Sequence, residues 1–201
     1  MARVLIVFES RYGSTARIAA RLAGRLEADG HVVTLRSAIA AEQSLRDADA
    51  VIIAGPVYLS RHPRPLRRFV RRHAGALSAR PCAFVSVCGA LGGRWPEGAA
   101  EARRYVDDFV ATTGLRPDLV LSVAGTIAYT RYGPFTRWFM RRASMWTGRS
   151  TDTTRDHELT NWSDLDRLAA TFASLITDPA PATPCCLPLQ GALAPMAEEI
   201  P

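Results

Sequence analysis

Near its start the chain reads Val4-Leu5-Ile6-Val7-Phe8-Glu9-Ser10-Arg11-Tyr12-Gly13-Ser14-Thr15, and this segment runs directly into a helical pattern. The apolar run predicts a buried strand, and the polar residues with one glycine predict a turn at the start of a helix. Such a turn aims several backbone N–H groups and the positive end of the helix dipole at one point. That arrangement suits a phosphate group, although a strand that leads into a capped helix also occurs in α/β proteins without a ligand.

Two common classes of phosphate loop do not fit this turn. A dinucleotide-binding loop needs three glycines in G-x-G-x-x-G, whereas this turn has one, and a Walker loop needs a lysine, which the chain lacks. The remaining common class is the loop that holds the phosphate of flavin mononucleotide (FMN). The residues predicted to hold it are Ser10, Arg11, Tyr12, Gly13, Ser14 and Thr15.

Apolar strands alternate with helical patterns along the rest of the chain. Strands are predicted at residues 3–8, 32–36, 51–54, 82–87 and 119–124, and helices at 15–29, 41–48, 64–74 and 97–113. Strands that are apolar on both faces and separated by helices indicate a parallel sheet covered on both sides. The predicted fold is a doubly wound α/β domain with a five-stranded parallel sheet in the flavodoxin-like order 2-1-3-4-5.

In this strand order, ligands bind outside the carboxyl ends of strands one, three and four. The second loop there carries Pro56, Val57, Tyr58, Leu59 and Ser60, and the third carries Cys88, Gly89, Ala90, Leu91, Gly92 and Trp95. Tyr58 and Trp95 offer aromatic planes for a flat isoalloxazine ring, and the glycines leave backbone open for its polar rim. Ordinary packing of these two side chains within their loops remains the alternative.

Composition narrows the remaining possibilities. No apolar run approaches the about 18 residues of a membrane-spanning helix, and no secretory signal is visible, so we expect a cytoplasmic protein. The four cysteines have no metal-ligand spacing, so no metal is predicted; Cys82 and Cys88 are expected to behave as small buried hydrophobes. The net charge of +6 comes with no nucleic-acid-binding motif, and no nucleic-acid partner is expected.

After the fifth strand the chain inserts about residues 125–160, where a minimal domain of this type would proceed to its last helix. Within it, Phe135, Trp138, Phe139, Met145 and Trp146 fall mainly on one helical face, and Arg137 and Arg141 lie one turn apart. This pattern is typical of a core helix, but it also fits a helix in a membrane interface or one that covers an amphiphilic substrate.

A family resemblance becomes specific in this insertion. The motifs are Arg116-Pro117-Asp118, Ala124-Gly125, Tyr129 with Arg131-Tyr132, Arg137-Trp138-Phe139-Met140, Thr151-Asp152-Thr153 and Thr160-Asn161-Trp162. Together with residues 51–70 they resemble the flavodoxin-like menaquinone-dependent protoporphyrinogen oxidases, over roughly residues 3–176. The resemblance implies non-covalently bound FMN, oxidation of protoporphyrinogen IX to protoporphyrin IX in heme biosynthesis, and electron delivery to a quinone at the membrane.

A porphyrin substrate carries anionic propionates, for which arginine is the preferred partner. The predicted substrate or membrane contacts are Arg61, His62, Arg64, Tyr129, Arg131, Tyr132, Arg137, Trp138 and Arg141. No catalytic acid–base pair is predicted, because the flavin supplies the electron acceptor. Two other functions stay open: a flavodoxin-type electron carrier or FMN-dependent quinone or aromatic reductase, and a flavin-free binding module.

The predicted domain organisation is one flavodoxin-like domain over residues 1–177 followed by a tail over 178–201. The tail is rich in proline and alanine, and adjacent cysteines such as Cys185 and Cys186 rarely close a comfortable disulfide. We therefore expect it to be disordered. The sequence does not define the oligomeric state.

Overall fold

The sheet and its helices appear in the predicted order in a computed structural model of the chain. The structure describes residues 1–92, 97–131, 133, 135, 138, 141–142, 145, 152–178 and 187–188. The strands are β1 (Arg3–Phe8), β2 (Val32–Ser37), β3 (Ala50–Pro56), β4 (Cys82–Val87), β5 (Leu119–Val123) and β6 (Leu187–Pro188). The helices are α1 (Ser14–Ala28), α2 (Glu42–Arg46), α3 (Arg64–Ser78), α4 (Gly98–Thr113) and α5 (Trp162–Thr177).

All neighbouring strands pair in parallel, in the order β2-β1-β3-β4-β5-β6. The first five strands confirm the predicted order 2-1-3-4-5. The two residues of β6 pair with Leu119 and Val120 of β5, within the segment predicted to be disordered. The other residues after 178, including the two adjacent cysteines, lie outside the described residues.

Successive strand residues face opposite sides of the sheet, and each side is covered by its own helices. On one side, Ile6 and Ile52 pack with residues of α1 and α5, among them Leu22 and Phe172. On the other side, strand residues including Leu5 and Val51 pack with α2, α3 and α4. Every residue of β3 and β4 is buried, as the apolar runs of the sequence predict for a sheet that is covered on both sides.

Most element boundaries agree with the sequence to within a residue or two. The main difference is α3, which continues to Ser78 instead of ending at residue 74, because Leu77 at its end is fully buried. Cys82 and Cys88 are buried and free, as predicted, and burial raises the pKa of the Cys82 thiol to about 12.

Candidate functional site

The predicted phosphate loop joins β1 to α1 and ends in a glycine with left-handed backbone geometry. Gly13 has a φ of +90°, and its N–H donates to Ser10 Oγ at 3.1 Å. The first helical hydrogen bond across this cap runs from Arg17 N to Gly13 O, so the N–H groups of residues 14–16 have no helical carbonyl to bind. The first turn holds no acidic residue. Free N–H donors beside a glycine fit the phosphate group of a flavin nucleotide.

The hydroxyl side chains of this loop have different surroundings. Ser14 Oγ accepts a hydrogen bond from Thr126 N at 2.9 Å, which joins the loop to the insertion. Its hydroxyl hydrogen can still be donated, because a serine hydroxyl both donates and accepts. Thr15 is 1% exposed and is packed into the core side of α1.

The second predicted loop turns back on itself after β3. Tyr58 and Arg61 exchange two backbone hydrogen bonds of 2.9 and 3.1 Å. Between them Leu59 and Ser60 have φ values of 48° and 63°, a left-handed geometry that is uncommon outside glycine. Leu59 is 90% exposed at the tip. At the base of the loop Pro56 is buried and Val57 N donates to Val87 O at 2.8 Å.

Tyr58 connects the second loop with the first. Its ring contacts the ring of Tyr12 edge to face, with the ring centroids 5.9 Å apart. Burial raises the pKa of the Tyr58 phenol above its ordinary value, and hydrogen bonds from the backbone N–H groups of Arg11 and Tyr12 oppose that rise. The two loops predicted to face one ligand therefore meet at the same edge of the sheet.

The third predicted loop begins at the end of β4. Cys88 is buried, and its N–H donates to Val123 O at 2.9 Å, so the Cys88 N–H is directed at β5. The next residues, Gly89, Ala90, Leu91 and Gly92, form one 3₁₀ turn. Trp95 lies outside the described residues.

His62 occupies the core beneath the second loop. It is 4% exposed, its ring packs against the stacked rings of Phe84 and Phe109, and its Nε2 is 3.2 Å from Ser86 Oγ. Burial lowers the pKa of His62 to about 4, and the charge of Arg67 contributes to the same shift. The structure places this side chain in the core and not at the surface, and the role of His62 as a substrate or membrane contact stays a prediction.

The insertion begins and ends beside the phosphate loop. Ile127 and His157 exchange two backbone hydrogen bonds of 2.9 and 3.0 Å, which pair the two ends of the insertion. Thr160 Oγ1 donates to Ala124 O at 3.0 Å and joins the same two ends, which together form the base of the insertion. At Gly125 a side chain would lie 2.9 Å from Val87 and 3.0 Å from Ser14 Oγ, so glycine permits this close approach.

Charged side chains hold this base against α1. Arg17 Nη2 lies 2.6 Å from Glu158 Oε2 and also donates to Thr126 Oγ1. Desolvation raises the pKa of Glu158, but hydrogen bonds from Thr160 and Thr126 and the charge of Arg17 outweigh it, so the pKa lies below its ordinary value. At neutral pH this carboxylate is therefore ionised and available to Arg17.

Tyr129 lies in the base of the insertion and is fully buried. It forms a small cluster with Ile127 and Ala128, against which Tyr12 and Leu159 pack. Its ring also contacts His157 edge to face at 5.9 Å. The side chain is 0% exposed and joins the insertion to the phosphate loop, and its contact with substrate or membrane stays a prediction.

The remaining predicted contact residues divide into two groups. Arg61, Arg64, Arg131, Trp138 and Arg141 are exposed. Tyr132 and Arg137 lie outside the described residues. Of the exposed side chains, Arg131 reaches the phosphate loop, where its Nη1 is 3.0 Å from Tyr12 O.

Sequence reasoning missed the residues that attach the insertion. No sequence motif includes Arg17, Thr126 or Glu158. The residues that bond to each other here are 32 to 141 positions apart in the sequence. Arg131 was assigned to the substrate or the membrane, although the structure brings it to the loop. Only the packing of the insertion onto α1 reveals these partners.

The chain matches the Flavodoxin domain family over residues 5–154 and belongs to that family. This membership confirms the flavin cofactor predicted from the loop, and FMN is the flavin that it implies. Within it, the chain is similar to proteins named protoporphyrinogen IX dehydrogenase [quinone]. The Escherichia coli K12 protein is 28% identical over 88% of this chain and 98% of its own length, and the Leishmania major protein is 29% identical over 65% and 56%.

Solved structures with the same fold include two flavodoxins. A point mutant of flavodoxin from Pseudomonas aeruginosa matches with a TM-score of 0.56 at 16% identity, covering 88% of this chain and 99% of that one. A flavodoxin from Streptococcus pneumoniae matches with a TM-score of 0.52 at 18% identity, covering 88% and 98%. These likenesses establish the fold.

Membrane-spanning and metal-binding features are both missing from the part of the chain that the structure describes. In the described ranges, no helix has the length and apolarity to span a membrane. The same ranges contain no group of three or more histidine, cysteine, aspartate or glutamate residues placed to hold a metal ion.

Proposed function

We propose that this protein is an FMN-dependent oxidoreductase that oxidises protoporphyrinogen IX to protoporphyrin IX and passes the electrons to a quinone. The observation that carries the proposal is the insertion after β5, whose base is bonded to the phosphate loop through Ser14 and to α1 through Arg17. The similarity to the named dehydrogenases of Escherichia coli over almost their whole length supports the same substrate.

FMN, when bound, supplies the acceptor for the electrons that leave the substrate. The chain's own residues then have to hold the flavin and orient a large flat substrate against it. In the proposal, the loops that begin at Ser10, Pro56 and Cys88 surround the flavin, and the insertion covers the substrate. In the same proposal, the propionates pair with Arg61 and Arg64, which are exposed at the end of the second loop.

The test is an anaerobic assay of the FMN-loaded protein with protoporphyrinogen IX and a menaquinone analogue, followed by porphyrin fluorescence. We expect porphyrin formation that depends on the quinone. A protein that holds flavin but forms no porphyrin would refute the proposed substrate and favour the electron-carrier or reductase alternative. A double substitution, Arg61→Gln with Arg64→Gln, should raise KM for the porphyrinogen while FMN stays bound.

We also propose that the insertion contacts the membrane surface from which the quinone is drawn. Phe135, Trp138 and Met145 are 80, 59 and 62% exposed, so the alternative of a fully packed core helix does not describe these three side chains. The Arg142 guanidinium lies 5.9 Å from the centre of the Trp138 ring, and Arg141 is exposed beside it. Exposed aromatic side chains next to arginines favour a peripheral contact with an anionic interface.

Liposome flotation with anionic and neutral vesicles tests this contact. Each basic residue near an anionic surface contributes about 1 kcal/mol, so replacing Arg141 and Arg142 by glutamine should weaken binding about thirtyfold. The control is the same charge change in α4, Arg103→Gln with Arg104→Gln. Equal binding by both double variants would mean that the insertion is not the membrane contact.

A further inference from the structure

The FMN phosphate carries about two negative charges. The residues predicted to bind it in the phosphate loop include one arginine. That arginine, Arg11, has its guanidinium 5.4 Å from the centre of the Tyr12 ring, on which it stacks. The loop otherwise offers backbone N–H groups and hydroxyls. A second cation reaches the same loop from the insertion.

That cation is Arg131, whose guanidinium lies where α1 begins. Its Nη1 donates to Tyr12 O at 3.0 Å. A side chain at Gly13 would meet the same nitrogen at 2.3 Å, so the guanidinium occupies the space beside the left-handed glycine. A guanidinium has five N–H donors, and the bond to Tyr12 uses one of them. The others are available to bind a phosphate oxygen at the start of the helix.

The backbone of Arg131 is fixed by the base of the insertion. Its N–H donates to Ala128 O at 3.0 Å, and the neighbouring Thr130 donates to Asp156 Oδ1 from both its backbone N and its hydroxyl. Burial of Tyr129 anchors the same turn. The guanidinium is thus held near the phosphate loop before any ligand binds, which lowers the entropic cost of using it.

The nearby carboxylates do not neutralise Arg131 directly. Glu158 is engaged by Arg17. Asp156 accepts from Thr130, and the charge of Arg131 acts on it only from beyond ion-pair distance, where it helps to lower the pKa of Asp156. Over the described residues, no carboxylate lies within the 4.0 Å ion-pair distance of the Arg131 guanidinium. Its charge is therefore available to an anion at the loop.

We propose that Arg131 is a ligand of the FMN phosphate that the insertion contributes to the phosphate loop. The insertion then has a second role besides covering the substrate, because it completes the cofactor site. This inference rests on the flavin cofactor and not on the porphyrinogen substrate, so failure of the turnover assay would leave it intact.

The test compares FMN with riboflavin, which carries the same ring and no phosphate. Flavin is removed, and the dissociation constants of both ligands are measured by fluorescence titration for the parent and for Arg131→Gln. Charged hydrogen bonds of this kind predict that the variant binds FMN about 10 to 100 times more weakly. Riboflavin binding should change by less than about twofold, because the riboflavin complex has no phosphate for Arg131 to hold.

Two charge-matched variants and one conservative variant complete the experiment. Arg68→Gln in α3 should leave FMN binding unchanged, and Arg131→Lys should retain part of the FMN preference because it keeps the charge. The proposal is overturned if Arg131→Gln binds FMN as the parent does, or if it weakens FMN and riboflavin equally, which would indicate a purely structural role. Arg11→Gln is the second charge-matched variant, and the proposal is also overturned if this variant loses the preference for FMN while Arg131→Gln keeps it.

Discussion

Replacing His62 by glutamine should remove a pH dependence from the stability of the fold. In the folded protein the pKa of His62 is about 4, because burial against two stacked phenylalanine rings disfavours the charged form. In the unfolded chain its pKa returns to about 6.5. As the pH falls below about 6.5 the unfolded chain therefore binds a proton that the folded protein does not.

The size of the effect follows from the two pKa values. The contribution of neutral, buried His62 to the free energy of unfolding is fully present above about pH 6.5. It is lost progressively as the pH falls to about 4. Between about pH 7.5 and 5 the difference in protonation corresponds to a loss of about 2 kcal/mol in the free energy of unfolding. His62→Gln keeps a polar partner for Ser86 but cannot bind this proton.

Urea unfolding of the parent and of His62→Gln at these two pH values measures the effect. As the pH falls, we expect the free energy of unfolding to decrease by about 2 kcal/mol more in the parent than in the variant. Other titrating groups are common to both proteins and cancel in the difference. Equal losses in the two proteins would show that His62 is not held neutral by the core, and the reasoning from its burial would be refuted.

Three further predictions concern the phosphate loop and its neighbours. Ser10→Ala should weaken FMN binding by about 1–3 kcal/mol in a fluorescence titration, because a bond to a charged acceptor is lost. Unchanged affinity would remove this hydroxyl from the site. Gly13→Ala should lower the free energy of unfolding by about 1–2 kcal/mol, as measured by urea unfolding, because φ is +90° and the added carbon meets Arg131. A variant as stable as the parent would mean that the loop relaxes without cost. Tyr58→Ala should alter the absorption spectrum or retention of bound flavin, and a spectrum and affinity equal to the parent's would place the ring elsewhere.

Much of the fold could be predicted because its signals are local. Each strand is a short apolar run, and each helix repeats its buried positions at helical spacing, so Val4 to Val7 and Ile18 to Leu26 are readable without any tertiary information. The strand order followed from these elements and from the general rules for parallel sheets. The end of α3 was predicted too early, because burial of Leu77 depends on which residues the sheet places beneath it.

The candidate site was only partly predictable. The order of the strands requires the loops after β1, β3 and β4 to share one edge of the sheet, and the contact between Tyr12 and Tyr58 agrees with that requirement. Whether a polar side chain near that edge points inward or outward is a different question. His62 and Arg61 are neighbours in the sequence, yet one is buried and the other exposed.

The alternation of strands and helices, the phosphate-type turn and the long insertion after β5 could be read from the sequence, because these features depend on residues close together in the chain. The contacts of the insertion, by contrast, became visible only in the folded structure. The Ser14–Thr126 and Arg17–Glu158 contacts join residues 112 and 141 positions apart, and the Arg131 guanidinium reaches Tyr12 across 119. Such contacts arise from how the insertion packs on α1, and no local spacing encodes them.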